Sequence, residues 1–205
     1  MSERLIKPVN DNASKQHTYK KMLGRYKLAI KNEFYFEAMI IVYAMLEDRL
    51  RSVLYYTGVL VNKEKLSSHK KTKKQVQDIV SIYQNEDKAI PNMKNITGKM
   101  EIIKAMLLWS TECKNVEDKY LLLLKSTLEG IDIGVILETL DSLEGWLKYR
   151  NEVIHAAMNK DIDSLFGDLR EKVEEGMRYA RQIDNEATIL RKKSFIRKKM
   201  NMGNN

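Results

Sequence analysis

One short segment of the 205-residue chain brings together an arginine, an amide and a histidine. Arg150 and Asn151 are adjacent, and His155 follows five residues after the arginine. An imidazole titrates near neutral pH and therefore suits proton transfer. A guanidinium can bind two phosphate oxygens and stabilise negative charge that develops on them. With Asn151 placed to orient either the histidine or the phosphate, the three residue types suit acid–base chemistry at a phosphate group.

The helical spacing of these residues leaves two interpretations open. Asn151 continues the apolar stripe that passes through Leu147, so its amide is predicted at a core-directed position, with His155 one turn away on the same face. Arg150 lies roughly 140° around the helix from His155. The first interpretation is a buried Asn151–His155 pair at a helix contact, with Arg150 in a surface salt bridge to Glu152 or a neighbour. In the second, Arg150 wraps its side chain around the helix, joins the pair through a local distortion, or meets the histidine of another chain.

The pattern Arg-Asn-x3-His, late in a long helix, resembles the ribonuclease motif of the HEPN superfamily (higher eukaryotes and prokaryotes nucleotide-binding domain). The apolar helix over residues 38–54 is similar to the long early helix of that family, and the resemblance covers residues 15–184. It implies a homodimeric, metal-independent endoribonuclease, without a cofactor, whose composite site contains Arg150, Asn151 and His155. It also implies a toxin or antiviral-defence effector, with an antitoxin or another defence-system protein as a partner.

The number of histidines also favours a site shared between two chains. Attack of a ribose 2′-OH on its own phosphate needs a base and an acid. His17 and His69 belong to unrelated segments, so His155 is the one histidine that each chain is expected to supply. Two other functions stay open: a non-catalytic HEPN-like interaction or nucleotide-binding module in a toxin–antitoxin or defence complex, and a helical adaptor that binds nucleic acid through a basic tail.

The positive charge of the chain is concentrated in two segments. The net charge is +8, of which residues 63–74 carry +5 and residues 191–199 carry +6, so the rest is slightly acidic. These segments are candidate RNA-binding tracks, with the first leading toward the catalytic cleft and Phe195 stacking a base. The alternative is a solvated helix face and a frayed tail. The predicted RNA-binding residues are Lys70, Lys71, Lys73, Lys74, Arg191, Lys192, Lys193, Arg197, Lys198 and Lys199.

Helical periodicity governs almost the whole chain, which predicts an all-α helical bundle with an up-and-down core. Glu47, on the second predicted helix, is a weaker candidate for holding Arg150 across the bundle; the alternative is that it is simply exposed.

The predicted domains are an N-terminal arm (1–14), a HEPN-like helical domain (15–184) and a basic C-terminal tail (185–205). The first four predicted helices cover 15–31, 33–56 with a stop at Gly58, 71–83 and 99–108. A fifth, around 121–124, is capped by Asn115 and ended by Gly130. A sixth runs from Asp132 to 158, and Asp161 or Asp163 opens the last helix.

Several kinds of chemistry and location are disfavoured. Three dispersed histidines and the single Cys113 form no recognisable metal-binding or nucleophile motif, and Gly98-Lys99-Met100 fails the phosphate-loop pattern. Cys113 is expected to pack as a small apolar residue. The start of the chain lacks the apolar core of a signal peptide, and no apolar run is long enough to span a bilayer. The sequence therefore predicts a cytoplasmic protein without a membrane partner.

Overall fold

The computed structural model describes residues 12–62, 66–84, 90–157, 159, 167–193 and 195–202, and over these residues the protein is all-α, as predicted. An isolated antiparallel bridge between Leu60 and Ser68 is the one extended pairing within them. The helices are α1 (Asn12–Lys31), α2 (Tyr35–Tyr56), α3 (Lys73–Gln84), α4 (Ile96–Glu112), α5 (Lys119–Leu128), α6 (Ile133–Ala156), α7 (Leu169–Lys193) and the one-turn α8 (Ile196–Lys199).

Side-chain caps determine where the middle helices begin. Asp132 caps α6 as predicted, because its Oδ1 accepts a hydrogen bond from the Val135 amide. Asn95 caps α4 in the same way, so this helix starts three residues earlier than predicted. The prediction that Asn115 caps α5 is wrong. Asp118 takes that role, and its carboxylate accepts hydrogen bonds from two backbone amides of the first turn.

α2 lies at the centre of the bundle and packs along α7. Arg49 binds Asp184 at 3.0 Å, and near the helix starts Arg170 lies beside Tyr35. The residue numbers rise together along both helices, so α2 and α7 run parallel. The inward-facing apolar residues of α2 are buried, and Leu50 has no exposed surface.

α6 and α7 run antiparallel and in close contact. Near the end of α6, the indole N–H of Trp146 donates to the Lys172 carbonyl at 2.6 Å. Near its start, the backbone amide of Asp132 donates to Glu186 at 3.0 Å. The indole lies against Gly176, where a Cβ atom would come within 2.6 Å of the ring. The end of α6 that carries the arginine–histidine motif therefore lies beside the start of α7.

The described residues of the predicted basic tail, 185–193 and 195–202, pack against the helical bundle. α7 continues to Lys193, and Leu190 is completely buried. The chain then folds back through α8, where Ile196 and Met202 are buried against the turn at Gly58. Gly58 ends α2 with a φ of +78°, as its position in the sequence predicted. Apolar side chains at intervals within the basic run anchor it to the core.

Two sequence predictions lie outside the described residues. Most of the proposed N-terminal arm is not described, and α1 begins at Asn12. The proposed helix caps Asp161 and Asp163 are also outside the described part of the chain, in which α7 begins at Leu169. None of the helices described is both long and apolar enough to cross a membrane.

Candidate functional site

Arg150 lies near the C-terminal end of α6, where its side chain contacts Tyr43 and Asn151. Its guanidinium carbon lies 4.1 Å from the centre of the Tyr43 ring on α2, within the range of a cation–π contact. Its Nη1 donates to Asn151 Oδ1 at 2.9 Å. Its Nε is buried and has no hydrogen-bond partner among the described residues. These contacts limit the movement of the side chain.

The structure contradicts the predicted core position of Asn151. Asn151 is exposed, whereas Val153 and Ala156 are buried. After Leu147 the inward face of α6 continues in steps of three residues instead of four, so Arg150 takes the position nearer the neighbouring helix. Both steps keep residues on one side of a 3.6-residue helix, which is why spacing alone could not choose between them.

His155 lies in the last turn of α6, and its side chain is exposed. It lines a shallow open depression together with Asn151, Glu152 and the side chain of Asn159. Asn159 also donates to the His155 carbonyl at 3.3 Å. Within the described residues no hydrogen bond joins the His155 side chain to Asn151 or Arg150, so the buried amide–histidine pair is not formed. The salt bridge of Arg150 to Glu152 is not formed either.

Glu47 does not hold Arg150. Its carboxylate binds Lys99 on α4 at 3.0 Å and Arg51 at 3.6 Å. The Lys99 side chain has no exposed surface, and its burial lowers the pKa of its amine while the Glu47 carboxylate acts in the opposite direction. Because Glu47 neutralises this buried amine, it ties α2 to α4.

Sequence reasoning missed Tyr43 as the partner of Arg150. Tyr43 precedes Glu47 by four residues, so the prediction chose the correct face of α2 but was one turn away. An aromatic ring on that face was the available signal, since a guanidinium stacks on aromatic rings as well as binding carboxylates.

A second contact fixes the end of α6. The Tyr149 hydroxyl donates to Asp168, just before α7, at 2.6 Å. Burial, followed by this hydrogen bond, raises the pKa of Tyr149, so the phenol stays protonated. Its ring also lies 5.8 Å from the Lys172 amine. The residue next to Arg150 is thus held by α7 while Arg150 itself is held by α2.

The predicted RNA-binding residues lie at the other end of the bundle. Arg197 is a correction, because it is buried and donates to the carbonyls of Leu60 and Val61 at 2.9 and 2.8 Å. Lys71 is exposed, but its amine donates to the carbonyls of Met200 and Asn201. The remaining candidates are exposed: Lys70, Lys73, Lys74, Arg191, Lys192, Lys193, Lys198 and Lys199.

This placement also overturns the prediction that Lys70 to Lys74 lead toward the catalytic residues. Arg150 packs on Tyr43, whereas Arg197 packs on Tyr55 at 4.1 Å from the ring centre. The rise along α2 between these two tyrosines is about 18 Å. His155 lies farther still, at the end of α6, so the basic residues and the arginine–histidine motif occupy opposite ends of the molecule.

No group of three or more His, Cys, Asp or Glu side chains in the described part of the chain is arranged to hold a metal ion. Comparisons of the chain with protein-family models, curated proteins and solved structures gave no match.

Proposed function

We propose that this chain is a metal-independent endoribonuclease of the HEPN type that acts as a homodimer. The observation that carries the proposal is the setting of Arg150, whose guanidinium is fixed by Tyr43 and by Asn151, the residue that lines one depression together with the exposed His155. A fixed guanidinium stabilises developing phosphate charge without reorganising during the reaction. The exposure of Asn151 and His155 leaves both accessible to a polymeric substrate.

The proposed reaction is attack of a ribose 2′-OH on the adjacent phosphorus. The 2′-oxygen–phosphorus bond forms while the bond from phosphorus to the 5′-oxygen breaks. One neutral His155 takes the proton of the 2′-OH, and a protonated His155 gives a proton to the departing 5′-oxygen. Arg150 stabilises the charge on the non-bridging oxygens. The products are a 2′,3′-cyclic phosphate and a 5′-hydroxyl end.

The need for both a base and an acid is the reason for a second chain in this proposal. Each chain supplies one histidine at this end, since His69 lies at the opposite end near Arg197 and His17 precedes Tyr19, which packs on Arg49 in the second half of α2. The face of α2 that carries Tyr43 also carries the partly exposed Phe36 and Ile40, and Ile40 keeps 40% of its surface exposed. An apolar face beside the motif supports packing against a second copy across a twofold axis.

The test compares cleavage of a labelled RNA by the wild-type chain and by Arg150→Ala and His155→Ala. Both variants are expected to lose cleavage while circular dichroism and molar mass by light scattering stay unchanged. Lys148→Ala is the matched control, since Lys148 is exposed on the same helix and its replacement also removes one positive charge. Wild-type cleavage is expected to persist in a chelator. Undiminished cleavage by His155→Ala would refute the proposal.

One observation favours a second candidate, a helical adaptor that binds nucleic acid without cutting it. Within the described chain Arg150 and His155 share no hydrogen bond, while many exposed cations lie at the other end of the bundle. The same assay separates the two functions. Binding of RNA without cleavage products, in a chain shown to be dimeric, favours the adaptor.

The proposed cellular role is a toxin or antiviral-defence effector controlled by an antitoxin or another defence-system protein. It is supported by the resemblance of the Arg-Asn-x3-His segment to HEPN nucleases. Induced expression of the wild-type chain is expected to arrest growth, and His155→Ala is expected to permit it. Equal growth arrest by both chains would separate toxicity from the proposed chemistry.

A further inference from the structure

Two basic segments that are far apart in the sequence meet at one end of the bundle. The amine of Lys71 donates to the carbonyls of Met200 and Asn201 at 2.8 and 3.2 Å. Arg197 reaches back to the carbonyls that follow α2 and stacks on Tyr55. The contacts on both sides hold the loop before α3 against α8, so the two basic segments adjoin at this face of the bundle.

We name this face the basic surface, and its members are exposed cations. None of them forms an ion pair with another described residue, and the described stretches that carry them, 66–74 and 189–202, contain no acidic residue. The members are Lys70, Lys71, Lys73, Lys74, Arg191, Lys192, Lys193, Lys198 and Lys199.

The neighbouring His69 lies close to positive charges at this surface. His69 precedes Lys70, and its Nδ1 accepts a hydrogen bond from the Lys71 amide at 3.2 Å. Burial lowers the pKa of His69, and the charges of Arg197 and Lys71 lower it further. Crowded cations of this kind are relieved by a polyanion, which replaces many condensed counterions at once.

An exposed aromatic residue lies within the basic surface. Phe195, between α7 and α8, keeps 58% of its surface exposed although its neighbour Ile196 is fully buried. A phenyl ring flanked along the chain by Lys193 and Lys198 offers a base a stacking face, and the lysines offer the adjoining phosphates their counter-charges. A duplex stacks its bases internally, and an acidic protein has no base to stack, so this combination favours a single strand.

We infer that the basic surface is a docking site for single-stranded RNA, separate from the Arg150–His155 site and at the opposite end of the bundle. The inference builds on the proposed function only in naming RNA as the polyanion. Phosphates bind the lysines of both segments, and a base stacks on Phe195. The site holds substrate at a distance from the bond to be cut.

The test measures fluorescence anisotropy of a labelled single-stranded RNA of about 20 nucleotides, longer than the span of a typical single-strand site. The full chain carries His155→Ala in every measurement, so binding is measured without cleavage. Lys73→Ala/Lys74→Ala and Lys198→Ala/Lys199→Ala alter one segment each. Each pair is expected to weaken binding roughly tenfold and to reduce the slope of log K against log salt by about 1.4, since each neutralised phosphate of a single strand contributes about 0.7.

Lys27→Ala/Lys31→Ala is the matched control, because these two lysines are exposed on α1 at the opposite end and the same charge is removed. It is expected to leave affinity and salt slope unchanged. Phe195→Ala is expected to weaken binding roughly tenfold, and Phe195→Trp to retain it. Circular dichroism establishes that each variant is folded.

Three results would overturn the inference. Equal losses of RNA affinity in the control pair and in the basic pairs would indicate a general charge effect. Equal affinity for duplex and single strand, unaffected by Phe195→Ala, would remove the stacking role. Binding of phosphatidylserine vesicles without binding of RNA would assign the surface to membranes. RNA binding that depends on both basic pairs but leads to no cleavage in the chain with His155 intact would support the docking site and refute the proposed nuclease.

Discussion

At the scale of single residues, the central feature is an arginine that packs on a tyrosine ring and reaches an adjacent amide. Tyr43 restrains the guanidinium from one side, and Asn151 accepts one of its hydrogens. Neither of these partners is a carboxylate, so neither compensates the positive charge of the side chain. An arginine arranged in this way can still bind an anion, whereas one paired to Glu47 would already be neutralised.

Replacement of Tyr43 by leucine tests this arrangement. Tyr43→Leu keeps an apolar side chain but removes the ring face, so Arg150 is expected to lose its fixed orientation and kcat for RNA cleavage is expected to fall about five- to tenfold, the size of a partly buried cation–π contact. Tyr43→Phe keeps the ring and is expected to retain the wild-type rate. Steady-state kinetics on one RNA substrate provide the comparison. If leucine supports the same kcat as phenylalanine, the ring does not position Arg150.

A second residue-scale prediction concerns pH. Burial and the nearby charges of Arg197 and Lys71 lower the pKa of His69 in the folded chain below its ordinary 6.5. The unfolded chain therefore binds this proton more readily, so the stabilisation is complete above pH 6.5 and is lost as the pH falls from there through the lowered value. Denaturant unfolding at several pH values is expected to show a smaller acid loss for His69→Asn. If the free energy of unfolding fell equally with decreasing pH in the wild type and in His69→Asn, this account would be contradicted.

At the scale of the elements, the contact between α6 and α7 decides where the motif lies. Gly176 allows the Trp146 indole to approach α7 closely enough to donate to the Lys172 carbonyl. Beyond that contact, Tyr149 is tied to Asp168. The last turns of α6 are therefore supported from one side by α7, while Arg150 is supported by α2.

Two glycine substitutions isolate the importance of this contact. Gly176→Ala places a methyl group within 2.6 Å of the buried indole and is expected to lower the free energy of unfolding, because overpacking costs about 1–3 kcal/mol. Gly145→Ala, in α6, meets no atom within 4 Å and is expected to raise it by up to about 1 kcal/mol. Urea unfolding of both variants measures the difference. If both variants were more stable than the wild type, α6 and α7 would be able to move apart at Gly176 at little cost in free energy.

At the scale of the whole molecule, the two parallel helices α2 and α7 separate two surfaces of different character. The motif end carries the fixed arginine, the exposed histidine and the apolar face of α2. The other end carries the basic surface, about 18 Å away along α2 measured from Tyr43 to Tyr55. Pairing of two chains through their motif ends would leave both basic surfaces at the outer ends, available to the same RNA.

Mixing of subunits tests the shared site. If both histidines of a dimer are needed, one His155→Ala subunit inactivates its wild-type partner. The comparison is made at the same total chain concentration. An equal mixture, exchanged to equilibrium, is then expected to show about a quarter of the activity of the pure wild-type protein, since random pairing leaves that share of the dimers with two intact subunits. Activity at about half, the value for independent subunits, would indicate that each chain acts alone.

Local sequence signals were sufficient for most of the helices. Apolar residues at helical spacing predicted the main elements, and Asp132 marked a helix start because a cap bonds an amide only three residues away. The same short range explains the error at Asn115, because Asp118, three residues later, is the actual cap. The arginine–histidine motif was also identified from spacing, but the orientation of its residues was not.

Contacts between distant segments settled the rest. A helix of 3.6 residues per turn permits either Arg150 or Asn151 to face a neighbour, and the choice depended on Tyr43, which lies more than one hundred residues earlier. In the same way, Lys71 meets Met200 across 129 positions and joins two charge runs into one surface. Periodicity and capping act over three or four residues and are readable along the chain. Packing partners are set by how helices fill the core, so they emerge only when the chain is folded.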